Sequence, residues 1–93
     1  MSTYVKDPDA VLDYGFDWSD WLRTNETITA STWSIDPSDS PGLAKDSDSF
    51  DNTATTAWLS GGEADEEYEV TNHITTSDGR EDDRSHKIKV RQR

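Results

Sequence analysis

The sequence predicts an all-β fold, a small antiparallel Greek-key β-sandwich, and three observations carry that reading. Apolar and polar residues alternate with period two in "LDYGFDW", "YEVTNHITT" and "SHKIKV", the signature of strands with one buried face. Every periodic element is of this kind, and turn residues separate the elements. A tyrosine opens one strand directly after a turn rich in glycine and acids, "LSGGEADEEYEV". In a Greek-key sandwich that is where a tyrosine hydroxyl bonds back to the upstream backbone. This corner assigns residues 53–91 to the last three strands of a Greek-key sandwich.

Composition agrees with one thin-cored domain. A chain of 93 residues buries only about 60–65% of its unfolded surface. Only 30% of the residues are apolar and 31% are charged, close to the range of disordered chains. Four Trp, three Tyr and two Phe offset this, because each large ring replaces several aliphatic side chains in a small core.

Taken in order, residues 1–10, "MSTYVKDPDA", are expected to form an extended arm punctuated by Pro8, and residues 11–93 the sandwich. Over 11–18, Leu12, Tyr14, Phe16 and Trp18 share a face. "SDWLRTNET" then predicts one helical turn, capped by Ser19 or Asp20, that tucks Trp21 and Leu22 under the sheet. "TITASTWSI" places Thr29, Ser31, Trp33 and Ile35 on one side of a β-branched strand and Ile28 and Ala30 on the other. Residues 36–52, with two prolines, a glycine and many Asp and Ser, read as a long loop with a short segment around Leu43. "TATTAWLS" turns Thr55, Ala57 and Leu59 to one side and Trp58 to the other. "EYEVTNHITT" sets Tyr68, Val70, Asn72 and Ile74 inward, "SDGR" is a hairpin turn at Gly79, and "RSHKIKV" sets His86, Ile88 and Val90 inward. The expected core is therefore Tyr14, Phe16, Trp18, Trp33, Leu59, Tyr68, Val70, Ile74, Ile88 and Val90.

Charge and composition exclude several functions. A net charge of −11 repels nucleic acid as a whole. No apolar run approaches the ~20 residues of a membrane helix, and the N-terminus lacks the apolar stretch of a signal peptide, so synthesis in a cytoplasm is expected. There is no cysteine and hence no disulfide or thiolate metal site. An Asp-, Ser- and Thr-rich surface poor in lysine fits a protein adapted to molar salt and equally an ordinary acidic protein.

Candidate chemistry is sparse. His73 and His86 flank the hairpin at Gly79 and meet across two strands in this reading, yet two imidazoles without a third ligand make a poor metal site. Asp46, Asp48 and Asp51 faintly resemble a calcium loop, without the central glycine and closing glutamate that its geometry needs. "EADEEYE" and "EDDR" are like-charge clusters with no cleft around them. No Ser-His-Asp spacing, P-loop or glycine fingerprint is present. The expectation is a non-enzyme with no cofactor and no metal. Six of the nine bases, Arg80, Arg84, Lys87, Lys89, Arg91 and Arg93, fall in the last 14 residues. They pair with Glu66, Glu67 and Glu69 across strands, or dock on an acidic neighbour, or do both.

The stretches "YVKDPDAVLDYGFDWSDWL", "STWSI" and "YEVTNHITTSDGREDDRSHKIKV" resemble a family of small Ig-like virion proteins of tailed phages, of the fibre–tail adaptor or head and neck accessory type. Its pattern is K-D-P-x-x-x-L-D-Y-x-x-D-W-x-x-W-L early and Y-x-V-T-N-x-I-T-T-x-x-G-R-x-D-D-R-S late. The loop at 36–52 and the acidity depart from the usual member. The resemblance implies a structural component of a tailed virion, present in multiple copies and bound to larger capsid, neck, tail or fibre subunits, and with the composition it implies a salt-loving host. Expected partner contacts are Tyr4, Val5 and Lys6 of the arm, Trp21 of the corner, and Arg91 and Arg93 of the tail, since Tyr and Trp are frequent interface anchors. The alternative reading is a carbohydrate-binding module that stacks sugar on Trp33 or Trp58.

Overall fold

The computed structural model describes residues 2–36 and 42–91. Seven strands follow one another: β1 Ser2–Lys6, β2 Leu12–Asp17, β3 Ile28–Asp36, β4 Leu43–Phe50, β5 Ala54–Gly61, β6 Glu67–Thr76 and β7 Glu81–Val90. They form two sheets, ordered β1-β7-β6-β3 and β2-β5-β4. The fold is the all-β sandwich that the alternation predicts. Read as A to G, β2-β5-β4 and β7-β6-β3 are B-E-D and G-F-C, an order compatible with an Ig-like Greek key. The first strand lies parallel to β7, whereas the constant-type order keeps it beside B.

The inward parity of β5, β6 and β7 is as expected: Thr55, Ala57, Leu59, Tyr68, Val70, Asn72, Ile74, His86, Ile88 and Val90 are all buried. Of the expected core, only Phe16 and Trp33 are half-buried, packed against its edges. The tyrosine corner is present, with the Glu63 N–H donating to the Tyr68 hydroxyl at 3.1 Å. Gly62 makes that corner possible: its φ is +97°, and a Cβ there would approach Val90 Cγ2 to 2.7 Å. The β6–β7 hairpin closes at Gly79, φ +79°, whose N–H donates to the Thr76 carbonyl at 2.9 Å.

Four local expectations are corrected. Residues 43–50, read as loop, form β4, paired antiparallel to β5 with a bulge between Lys45 and Ser47. This edge strand buries only Leu43, so it has no apolar alternation to reveal it, and its charges suit an exposed edge. The rest of that expected loop, 37–41, lies outside the described residues. In β3 a register shift between Ile28 and Ala30 returns Ile28 to the core side, where it packs with Trp18 and Ile74. The turn after β2 is a single one in which the Trp18 carbonyl accepts the Trp21 and Leu22 N–H groups at 2.9 and 3.1 Å. Its capping side chain is Asp17, which accepts the Ser19 N–H at 2.9 Å, rather than Ser19 or Asp20. Finally, residues 2–6 of the expected arm are hydrogen-bonded to β7 along their length.

The two sheets meet on a buried amide. Asn72 is 0% exposed; its carbonyl oxygen accepts from Trp18 Nε1 at 3.1 Å and Thr55 Oγ1 at 2.6 Å, and its NH2 donates to Ser31 Oγ at 2.9 Å and the Thr32 carbonyl at 3.0 Å. Replacing it with leucine orphans these partners, and unpaired buried polar groups cost about 1–3 kcal/mol each before relaxation. Urea unfolding of Asn72→Leu should show a loss of about 2–4 kcal/mol. Thr71→Ala, which removes only a hydroxyl paired with Ser85 at 2.8 Å, should lose under about 1 kcal/mol.

Candidate partner-binding site

Tyr4, Val5, Lys6 and Arg91 come together at one edge of the larger sheet. Strand β1 pairs with β7 on one side only, so a row of backbone groups faces outward along its other side. Tyr4 and Val5 are each 40% exposed, for different reasons. Tyr4 has inward parity, its ring 5.2 Å from that of Tyr14 and 4.9 Å from that of His86, but among the described residues no further strand lies beyond β1 to cover it. Val5 stands beside Lys89 on the outer face. The Arg91 N–H donates to the Lys6 carbonyl at 2.9 Å, carrying the ladder one residue past β7. Arg91 is exposed and borders a shallow cleft with Asp65, Glu66, Glu67 and Lys89. Arg93 lies outside the described residues.

Lys6 is buried, and its ammonium donates to the Asp7 carbonyl at 2.9 Å and the Gly61 carbonyl at 2.8 Å. Burial pushes its pKa below the ordinary 10.5, opposed by Asp7, Asp9 and Asp46. Its charge holds β1 to the end of β5. Removing residues 2–8 therefore strips a strand and its anchor, and substitutions at exposed Tyr4 and Val5 are the cleaner probe.

Trp21 belongs to the opposite end. It packs beside Arg80 at the start of β7, while Lys6 pairs with Val90 at its finish, about 30 Å away along a ten-residue strand. Its ring is half-buried, with the Arg80 guanidinium 4.0 Å above it and the Trp18 ring 5.5 Å away, edge-on. Arg84 lies 4.2 Å over Trp18 in turn, so the two adjoining indoles are covered by one arginine each. Arg80 also ion-pairs with buried Glu26, which accepts from Thr76 Oγ1 at 2.6 Å and the Arg23 N–H at 2.9 Å. Glu26 and Arg80 are 54 positions apart, and no local pattern announces the pair. One expected cross-strand pair forms, Lys89 with Glu67 at 3.4 Å.

The histidines do not meet. His73 faces outward between Glu81 and Asp83, whose carboxylates raise its pKa. His86 faces inward, its ring stacked on Phe16 at 3.9 Å and its Nε2 donating to the Gly15 carbonyl at 3.0 Å, and burial lowers its pKa. The three aspartates of the expected cation loop are separately engaged: Asp46 accepts from Ser60, Asp48 pairs with Lys45, and Asp51 accepts the Thr53 and Ala54 N–H groups. Among the described residues no group of three or more His, Cys, Asp or Glu is arranged to hold a metal ion. Of the two indoles considered for sugar stacking, Trp33 is half-buried on Phe16 and Trp58 is 43% exposed.

The chain is thus a small two-sheet sandwich with an exposed strand edge and exposed aromatic side chains. The chain belongs to the family described as podophage GP4 fiber-tail adaptor protein gp77, whose family model matches residues 6–89. The motifs quoted above lie almost wholly inside that span, which runs from the last residue of β1 to the penultimate residue of β7. No curated protein matches the chain significantly.

The Glu26–Arg80 pair sets an acid limit on stability. Hydrogen bonding from Arg80 holds the Glu26 carboxyl at about 2, below its ordinary 4.5. A lowered folded pKa contributes stability above 4.5 that is lost as pH falls from 4.5 towards 2. Urea midpoints measured between pH 7 and pH 2 should drop through this window, and Glu26→Gln should be less stable at pH 7 with a flatter acid decline. An unchanged decline in the variant would remove the pair from the account.

Proposed function

We propose that the chain is a non-enzymatic adaptor of a tailed virion, a rigid sandwich that joins larger tail and fibre subunits. The family match over residues 6–89 carries this reading. In it, the segment 1–10 supplies the attachment strand and residues 11–93 the domain that bears it. The free side of β1, with Tyr4, Val5 and Arg91 and the charge of Arg93 beyond, takes a strand or aromatic-lined edge of one neighbour. Lys6 acts from inside by fixing β1. Trp21, at the far end, is the natural anchor for a second neighbour, and a small module with a contact at each end suits a joining role. The protein works in the particle, in several copies, after synthesis in the host cytoplasm.

We also attribute the acidity to a salt-loving host. Self-repulsion of −11 charges is screened as salt rises, since the Debye length falls from about 10 Å at 0.1 M to about 3 Å at 1 M. Thermal melts should show a higher midpoint in 2 M than in 0.1 M KCl; an equal or lower one would dismiss the attribution.

The adaptor reading is tested in particles. Virions produced with the Tyr4→Ser/Val5→Asp/Arg91→Glu variant should carry the chain at about a tenth or less of wild-type occupancy by quantitative mass spectrometry, as expected when hot-spot contacts are removed. The isolated variant should melt within a few degrees of wild type. Full occupancy would overturn the β1 attachment, and absence of the wild-type chain from purified virions would overturn the adaptor role.

A further inference from the structure

The outer face of the three-stranded sheet has a composition unlike the rest of the surface. Its centre is Trp58 on β5, 43% exposed, with Asp13 of β2 and Ser47 of β4 directly opposite on the flanking strands. The diagonal neighbours are Gly15 on β2 and Val11, just before that strand and 54% exposed, and the neighbours along β5 are Thr56 and Ser60. The indole thus rises from a floor of small side chains. Around it the charges have one sign. Asp13 is exposed, with no ion-pair partner among the described residues, and Asp46 accepts from Ser60 Oγ at 2.8 Å. Lys45 stands opposite Leu59 on the other parity and is paired with Asp48 at 2.8 Å, and Lys6, close enough for Asp46 to act on it, is buried and bonded to the Asp7 and Gly61 carbonyls.

The other three indoles have partners inside the molecule. Trp21 and Trp18 each lie under an arginine, at 4.0 and 4.2 Å, and Trp33 stacks on Phe16. Trp58 alone has neither ring nor cation against it among the described residues. An exposed indole face bordered by carboxylates favours a guanidinium or ammonium, through the ring quadrupole and the charges together. A second copy of this chain is a poor occupant, because two bodies of charge −11 repel. A nucleic acid is excluded by the same sign.

We infer that this face is a docking surface for a cationic protein partner, an arginine or lysine of which lies over Trp58 between Asp13 and Asp46. Apolar contact with Val11 adds area without adding charge. This rests on the adaptor reading for its biological setting and names the chemistry of one partner. Its physical content is independent, since the contact with β1 involves the other sheet.

The test uses the full chain, isotopically labelled with 15N, and a capped tri-arginine peptide as probe, with the tri-citrulline peptide as its uncharged counterpart. At low salt the Trp58 indole N–H resonance should move on titration with tri-arginine and stay in place with tri-citrulline. Binding read at Trp58 should weaken at least about tenfold in Asp13→Lys/Asp46→Lys, a like-charge reversal at the contact. The indole resonances of Trp18, Trp21 and Trp33 report in each variant that the fold is intact. A Trp58 resonance that does not respond, that responds equally to tri-citrulline, or that responds undiminished in the charge-reversed variant overturns the proposal. So does a response to neutral oligosaccharide in place of the cationic peptide. Particle occupancy is the separate readout for the adaptor role, so the failure of one is distinguishable from the failure of the other.

Discussion

One buried amide holds the two sheets in register. Asn72, fully buried, makes four hydrogen bonds: two to side chains at the end of β2 and on β5, and two to β3. A core made only of apolar residues tolerates small slides, because dispersion and burial are non-directional. A buried amide does not, since every displacement leaves a donor or acceptor unpaired. With so few aliphatic residues in the chain, this directional contact specifies the packing as much as the volume of Trp18, Leu59 or Ile88 does.

The ends of the sandwich are closed by cations. Lys6 ties β1 to the Gly61 carbonyl at one end. At the other, Arg80 joins Glu26, Trp21 and the Trp21 carbonyl, and Arg84 covers Trp18 and donates to the Asp17 carbonyl. Nine bases serve a chain with 20 acids, and several of them act inside the fold. The consequence reaches function. The remaining surface is largely acidic, and the reach of its charges shortens as salt rises. A host rich in salt would reinforce the fold and weaken charged contacts together.

This division of labour suits a joining module. In the proposed adaptor role a joint needs chemically different surfaces, and the chain presents three: the edge strand β1, the half-buried Trp21 at the opposite end, and the exposed Trp58 on the second sheet. The surface belongs to the strand edges and outer faces, while the interior is taken up with holding those edges in place.

By itself the sequence determined the sheet content and most of the core. Strict alternation from Tyr68 to Ile74 and from His86 to Val90 leaves one choice of buried face, because neighbouring side chains on a strand point oppositely. The tyrosine corner was legible because Tyr68 and its Gly-rich turn are close in sequence, and the family pattern because its motifs are contiguous. Tertiary structure alone decided the rest. β4 became a strand only because β5 offered a partner edge, since "LAKDSDSF" has no alternation of its own. β1 was invisible as a strand because five residues with Tyr4 and Val5 adjacent show no period, and its parallel pairing requires β7, more than 80 positions away. Nothing near Lys6 in sequence announces the Gly61 carbonyl that holds its ammonium, and Glu26 and Arg80 carry no trace of each other along the chain. Local pattern reports which way a side chain points; which distant backbone or charge it meets is settled when the sheets close, because burial makes an unpaired polar group too costly to leave.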